Sequence, residues 1–185
     1  MIRQLLVTAL GCVALFCVAC ARDDQPVLTG TVTNVVDGDT VDVVLASGPI
    51  RIRLHGIDTP EPKQPHGKES TAALSRLVLN KQVDVEPFEQ DRYDRLVGII
   101  FLGKTNVNAE LIREGHAWAY RRYMRKSDAQ LCNYEDQARR AKRGLWAGPD
   151  DELEAPWEWR KKSLKYVTDF SDETAADCIA AIGKR

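Results

Sequence analysis

Residues 27–54 read VLTGTVTNVVDGDTVDVVLASGPIRIRL. Polar and apolar residues alternate through Thr31-Val32-Thr33 and on to Val35-Val36, where Asp37-Gly38-Asp39 interrupts the run with a tight-turn dipeptide. A period of two marks a strand with one buried face, and an Asp-Gly step between two such runs signals a hairpin. Thr40 to Leu45 resumes the alternation, Ser47-Gly48-Pro49 turns the chain again, and Ile50-Arg51-Ile52-Arg53-Leu54 sets apolar residues strictly against arginine. Three strands joined by short turns make a meander.

Beyond it the period changes. In residues 68–79, Ala73, Leu74, Leu77 and Val78 fall on one face at helical spacing. Val83, Val85 and Phe88 alternate as a fourth strand, and residues 97–102 make a fifth. Three strands, a helix and two more strands is the order of an OB-fold barrel. The expected fold is therefore α+β and mainly β, a five-stranded OB-fold-like barrel with helices packed on it. Residues 108–114 read as a short helix closed by Gly115. A longer helix is expected from Ser127, where Ser127-Asp128-Ala129-Gln130 has the capping-box pattern, with Leu131, Tyr134, Ala138 and Ala141 on its inner face and Gly144 as its stop.

The first twenty residues differ from the rest. Arg3 gives a short positive start, Leu5 to Val18 is almost unbroken apolar sequence, and Ala19 and Cys20 follow. That is the plan of a secretory signal, and the run is shorter than the roughly 20 residues of a membrane span. Val18-Ala19-Cys20 resembles the bacterial lipobox, with Cys17 where leucine is usual. Cleavage before Cys20 and acylation of that cysteine is one expectation, and simple release is the alternative. The organisation expected is a signal peptide over 1–19, a tether over 20–26, a barrel domain over 27–148 and an acidic, Trp-bearing extension over 149–185. Of five cysteines, removal of the signal leaves Cys132 and Cys178 beside Cys20. An even pair in an oxidising compartment points to a Cys132–Cys178 disulfide, against two unpaired, half-buried thiols. No CxxC or Cys/His ligand spacing supports a zinc site.

The 185 residues carry a formal net charge of −1 with 29% charged and 44% hydrophobic side chains, which excludes a protein that coats nucleic acid by charge alone. Arginine and lysine do cluster, at Arg121, Arg122, Arg125 and Lys126 and again at Arg139, Arg140, Lys142 and Arg143. Such clusters make either a basic face or an ordinary solvated surface.

Three carboxylates stand out by position. Asp39 ends the first turn, and Asp58 and Glu61 lie in Ile57-Asp58-Thr59-Pro60-Glu61, directly after the third strand. A meander brings those two loops to one end of a barrel. Clustered carboxylates repel unless a cation neutralises them, and oxygen ligands suit calcium or magnesium. Arg53 lies in the third strand and Arg95 at the entrance to the fifth. Arginine matches phosphate oxygens with a planar fork. A hard cation, a free carboxylate and two arginines are what in-line attack on a phosphodiester requires. Either arginine could equally sit in a surface ion pair, and Asp-Gly is also an ordinary turn.

These blocks resemble the staphylococcal-nuclease (thermonuclease) family. The matches are Val36-Asp37-Gly38-Asp39-Thr40-Val41, Ile52-Arg53-Leu54, Ile57-Asp58-Thr59-Pro60-Glu61, Asp91-Arg92-Tyr93-Asp94-Arg95, Val107-Asn108-Ala109-Glu110-Leu111, Gly115-His116-Ala117 and Gly144-Leu145-Trp146, in family order. The resemblance implies an OB-fold nuclease that uses Ca2+ to cut DNA and RNA and leaves 3′-phosphate ends. It implies calcium ligation by the Asp39 and Asp58 side chains and the Thr59 carbonyl. Glu61 becomes the general base or water-orienting group, and Arg53 and Arg95 grip the scissile phosphate. Arg92 and Tyr93 are placed near a nucleotide phosphate, and Tyr120 matches a nucleotide-contacting tyrosine, with Tyr123 as its competitor. The partners implied are DNA and RNA substrates, with a membrane met only through a lipid anchor at Cys20, and the chain acting as a monomer.

Two departures matter. The family often has Gly before the second arginine, where this chain has Asp94, an extra carboxylate able to pair with Arg95. The tail with Pro156-Trp157-Glu158-Trp159-Arg160-Lys161 lies outside the core and is assigned no chemistry. His55, His66 and His116 are scattered without ligand spacing and read as structural or exposed, and Trp118 and Trp146 read as core. A non-catalytic nuclease-like module binding nucleic acid or protein is the alternative function, and a structural envelope lipoprotein the third. Export is tested on the mature N-terminus: mass spectrometry is expected to find it at an acylated Cys20, and an unmodified end elsewhere reduces the claim to simple secretion.

Overall fold

The computed structural model describes residues 26–149, 153–161 and 173–184. Residues 1–25, which include the expected signal peptide and Cys20, lie outside the described residues. The meander is formed by β1 (Leu28–Asp37), β2 (Thr40–Leu45) and β3 (Gly48–Leu54), antiparallel throughout, with Val32 opposite Val43 and Asp42 opposite Arg51. A two-residue strand β4 (Ile57–Asp58) follows, then α1 (Gly67–Val78), β5 (Gln82–Gln90) and β6 (Leu96–Leu102). β5 lies antiparallel between β1 and β6. β6 then runs parallel to β3, with Ile52 opposite Leu96 and Leu54 opposite Gly98. That pairing closes a five-stranded barrel of β1, β2, β3, β6 and β5.

Alternation decides what fills it. Val32, Val41, Val43, Ile52, Leu54, Val83, Val85 and Ile100 are buried inward, and α1 adds Ala73, Leu74 and Val78. Fully burying such a side chain stabilises by about 1.5–3 kcal/mol. The opposite face of β3 carries the arginines. Arg51 pairs with Asp42 at 2.7 Å across the β2–β3 ladder, and Arg53 points into the site described below.

The remaining elements are β7 (Thr105–Asn106), α2 (Val107–Arg113), β8 (Trp118–Ala119), α3 (Gln130–Arg140), α4 (Pro156–Trp159) and α5 (Ala175–Ala181). The Asn106 side chain caps α2 by accepting from Ala109 N at 2.9 Å. Buried Asn108 ties that helix to the barrel, accepting from Ile100 N and donating to the carbonyls of His55 and Gly98. Gly115 and Gly144 lie against each other with Leu145 N donating to Gly115 O. A Cβ on Gly144 would stand 2.2 Å from that carbonyl, and both glycines have positive φ.

α3 corrects the expected start at Ser127. It begins at Gln130 after a 3-10 turn over Lys126–Asp128, because the Asp128 carboxylate turns back to accept from Arg125 N and meet His55. On α3 the buried residues are Cys132, Glu135 and Ala138. Leu131 and Tyr134 pack on the core, and Ala141 is exposed. Glu135, unremarked in the sequence, is 2% exposed and accepts from Ala119 N, Arg121 and Arg139. Glu173 joins the same network. The basic clusters are therefore partly internal: Arg121 and Arg139 neutralise buried Glu135 and partly buried Glu173, while Arg140 pairs with Asp136.

Cys132 and Cys178 form a disulfide with Cα atoms 5.7 Å apart, joining α5 to α3 across a separation of 46 residues. Cys132→Ser is expected to lower stability by about 2–4 kcal/mol, since a cross-link of this span restricts the unfolded chain. Urea unfolding with and without reductant checks this: reductant is expected to weaken the parent and leave the variant unchanged.

Candidate active site

The site is built at the rim where the β1–β2 turn meets the loop after β3. Gly38 makes the approach possible, because a Cβ there would lie 2.6 Å from the Thr59 hydroxyl. Asp39 Oδ2 then accepts from Thr59 N at 3.0 Å and from Thr59 Oγ1 at 3.1 Å. Arg53, one residue from the end of β3, spans both loops: Nη1 is 3.0 Å from Asp39 Oδ2 and Nη2 is 2.9 Å from Asp58 Oδ1. β4 pairs with β8, Asp58 opposite Trp118, and so holds Asp58 at 1% exposure. The structure thus brings Asp39, Arg53, Asp58 and Thr59 into one cluster.

Glu61 joins the cluster through a residue assigned no chemistry above. Arg160, from the C-terminal extension, places Nη1 2.7 Å from Glu61 Oε1 and Nη2 2.7 Å from Asp58 Oδ2. Its Nη2 is also 3.4 Å from the Tyr120 hydroxyl. The Tyr120 ring lies parallel to Trp157 at 5.4 Å and beside Tyr123 at 4.8 Å, so Tyr120 borders the site and Tyr123 packs behind it. The sequence signal for Arg160 was slight, an arginine after two tryptophans at the start of a short basic run, Arg160-Lys161-Lys162.

Arg95 stands apart. The parallel β3–β6 register sets Arg53 opposite Val97, so Arg95 shares that face two residues, about 7 Å, along the strand. Its side chain is held by Asp91 Oδ2, at 2.8 Å from Nε and 2.7 Å from Nη2. Arg92 donates to the Tyr93 hydroxyl and lies over that ring. The Asp94–Arg95 pair that the sequence allowed is not made: the Asp94 carboxylate accepts from Gln90 instead. Asp94 has φ +64°, the left-handed region in which glycine is at ease and aspartate tolerated.

Electrostatics concentrate here. Burial pushes the Asp58 carboxyl up to about 6, against the pull of Arg53 and Arg160. Burial and the charge of Asp39 also push Asp37 up to about 6. Four carboxylates, Asp37, Asp39, Asp58 and Glu61, face the guanidinium groups of Arg53 and Arg160. Fully ionised, the cluster is left with an excess of negative charge that a divalent cation would balance. The donors are all oxygens, the set that hard cations take. Among the described residues no three His, Cys, Asp or Glu side chains converge as a metal-ligand group. The candidate set is instead two aspartates and a backbone carbonyl.

The histidines serve elsewhere. His55 is buried, its Nε2 3.0 Å from Asp128 Oδ2 and its ring stacked on Phe88. His66 Nε2 and His116 Nδ1 share a hydrogen bond of 3.0 Å. Trp118 and Trp146 are core, edge to face at 4.5 Å.

The fold and site define an OB-type barrel with an acidic, arginine-braced rim. A model of staphylococcal nuclease homologues matches residues 51–148. The chain is 41% identical over 143 residues to a micrococcal nuclease of Shigella flexneri, covering 72% of this chain and 81% of that one. It is 37% identical over 145 residues to Protein ParB of Escherichia coli, covering 74% and 81%. It is 41% identical over 134 residues to a protein of Escherichia coli named an uncharacterized endonuclease, covering 72% and 85%. The chain belongs to the staphylococcal nuclease family.

The histidine pair yields a pH prediction. Burial, His66 and Arg76 push His116 down to about 4 from an ordinary 6.5. The unfolded chain then binds more protons between those values, so this group's contribution is present above 6.5 and lost as pH falls toward 4. His116→Gln is expected to flatten the fall in urea midpoint between neutral pH and the low end of that window.

Proposed function

We infer that the chain is a nuclease, a calcium-dependent phosphodiesterase that hydrolyses DNA and RNA to 3′-phosphate-ended products. The observation that carries the reading is the single guanidinium of Arg53 holding Asp39 and Asp58 together at 3.0 and 2.9 Å. The names of the Shigella and Escherichia relatives agree with it. In this proposal the Asp39 and Asp58 carboxylates and the Thr59 carbonyl hold Ca2+. When bound, the ion supplies charge that polarises the phosphoryl oxygen.

The chain's own groups do the rest. Glu61, one-third exposed, accepts or directs the proton of the attacking water. Arg53 neutralises charge growing on the phosphoryl oxygens. Arg95, Arg92 and Tyr93 border the path of the strand, where a phosphate competes with Asp91 for Arg95, and Tyr120 or Tyr123 meets a base or sugar. We also propose export, with a lipid anchor at Cys20, and action as a monomer.

Digestion of single-stranded DNA and of RNA, with calcium and with a chelator, tests the reading. Cleavage is expected only with calcium, with ends sensitive to a 3′-phosphatase. Glu61→Gln is expected to lower turnover by about 10²–10⁴-fold, the usual worth of general-base assistance, while calcium binding stays near parental. Asp39→Ala is expected to raise the calcium concentration required, and Arg53→Lys to slow turnover, because an ammonium cannot reproduce the fork. A parental chain that binds DNA and leaves it intact with calcium present assigns the fold to the non-catalytic alternative.

A further inference from the structure

The segment from Leu153 to Lys161 is fastened to the loop that carries Glu61 on both sides of its docking point. Ala155 and Pro156 are buried, and Trp157 lies against Tyr120 and edge-on to Trp118. Ahead of that anchor, Gln64 is 6% exposed and works in two directions. Its Oε1 accepts from Glu61 N at 3.1 Å while its Nε2 donates to the Glu154 carbonyl at 2.5 Å. Beyond the anchor, α4 is a single turn with proline at its start, and Arg160 N donates to Pro156 O at 3.0 Å. That turn aims the Arg160 side chain back across the rim onto Asp58 and Glu61.

The geometry restricts what Arg160 can be. Among the described residues it is the Glu61 carboxylate's hydrogen-bond partner, and it holds Asp58 Oδ2, while sharing Oδ1 with Arg53. Two carboxylates three residues apart repel and, with Glu61 one-third exposed, nothing else described would keep that side chain turned inward. A rigid, planar fork fixes the separation of the two carboxylates as well as their charge.

We propose that Arg160 is a positioning residue of the active site: it holds the Glu61 carboxylate in register with Asp58 for proton transfer, which makes the C-terminal segment part of the catalytic machinery. The proposal rests on the nuclease reading of the same rim.

The test uses Arg160→Ala and Arg160→Lys in the full chain, assayed on single-stranded DNA at saturating calcium, with circular dichroism melts to confirm folding. Arg160→Ala is expected to lower kcat by about tenfold or more, since an ångström of misplacement can cost about 10²-fold, while KM stays within about threefold because the phosphate contacts are untouched. Millimolar guanidinium ion is expected to restore part of the Arg160→Ala rate and to leave Glu61→Gln unchanged. Arg160→Lys is expected to fall between parent and alanine, and it decides the matter alone if the alanine variant fails to fold. A parent that cleaves while Arg160→Ala or Arg160→Lys cleaves equally well overturns this proposal alone. So does a variant that cleaves faster or binds calcium more tightly, which would make Arg160 a plug competing with the ion. A parent that leaves the DNA intact overturns both readings.

Discussion

Three residues of β3, Ile52 to Leu54, lie parallel to three of β6, Leu96 to Gly98, and everything functional hangs on that short closure. After α1 the chain returns as β5, antiparallel to β1 and so to β3, and the β5–β6 reversal then brings β6 alongside β3 in the same sense. With the seam shut, the inward residues of five strands share one core, and Arg53, on the outward face at the seam, is set at the rim while Arg95, just before β6, stays with Asp91. The loops that bear Asp39 and Asp58 then have nowhere to go but over the end of β3. Leu54 N donates to Asp39 O at 2.8 Å and His55 N to Gly98 O at 2.8 Å, so the backbone binds rim to seam before any side chain acts.

The rim itself resolves an electrostatic conflict. Burying carboxylates without partners is costly, and breaking a buried ion pair strands the surviving charge. Here the partners come from two directions, Arg53 from the outer face of β3 and Arg160 from a separate segment of chain. The arrangement satisfies Asp58 on both oxygens. Glu135, Arg121, Arg139 and Glu173 repeat the solution on the far side of β8, again linking α3 to the C-terminal segment. The extension is thus integrated with the domain at two charged sites, an aromatic contact and a disulfide.

Most of the barrel was legible because alternation is a local property: Ile50 to Leu54 announces its faces without knowing its neighbours. Asp39, Arg53 and Asp58 were legible for the same reason, each lying within or directly beside a strand whose register fixes it, whereas Thr59 came only from the family resemblance. What could not be read were partnerships made by long-range docking. Nothing near Arg160 in sequence says that Trp157 stacks on Tyr120, and without that stack the arginine has no address. Likewise Asp94 looked like a rival for Arg95, but the left-handed backbone at that position turns its carboxylate to Gln90. The capping box at Ser127 failed because Asp128 had a better use, between Arg125 N and His55.

The position of β1 has a mechanical consequence. It enters at Leu28 and pairs at once with neighbours on both edges, Gly30 standing opposite Leu45 on β2 and Val83 on β5. A pull on the N-terminal end of this strand, from any tether or fused partner, runs along the strand axis and perpendicular to its hydrogen bonds. Two ladders are therefore loaded in shear together and no single rung can be unzipped first. Drag on the chain's leading end strains the barrel as a whole, and the rim bearing Asp39 lies at the far end of that strand, the last part of it to feel the load.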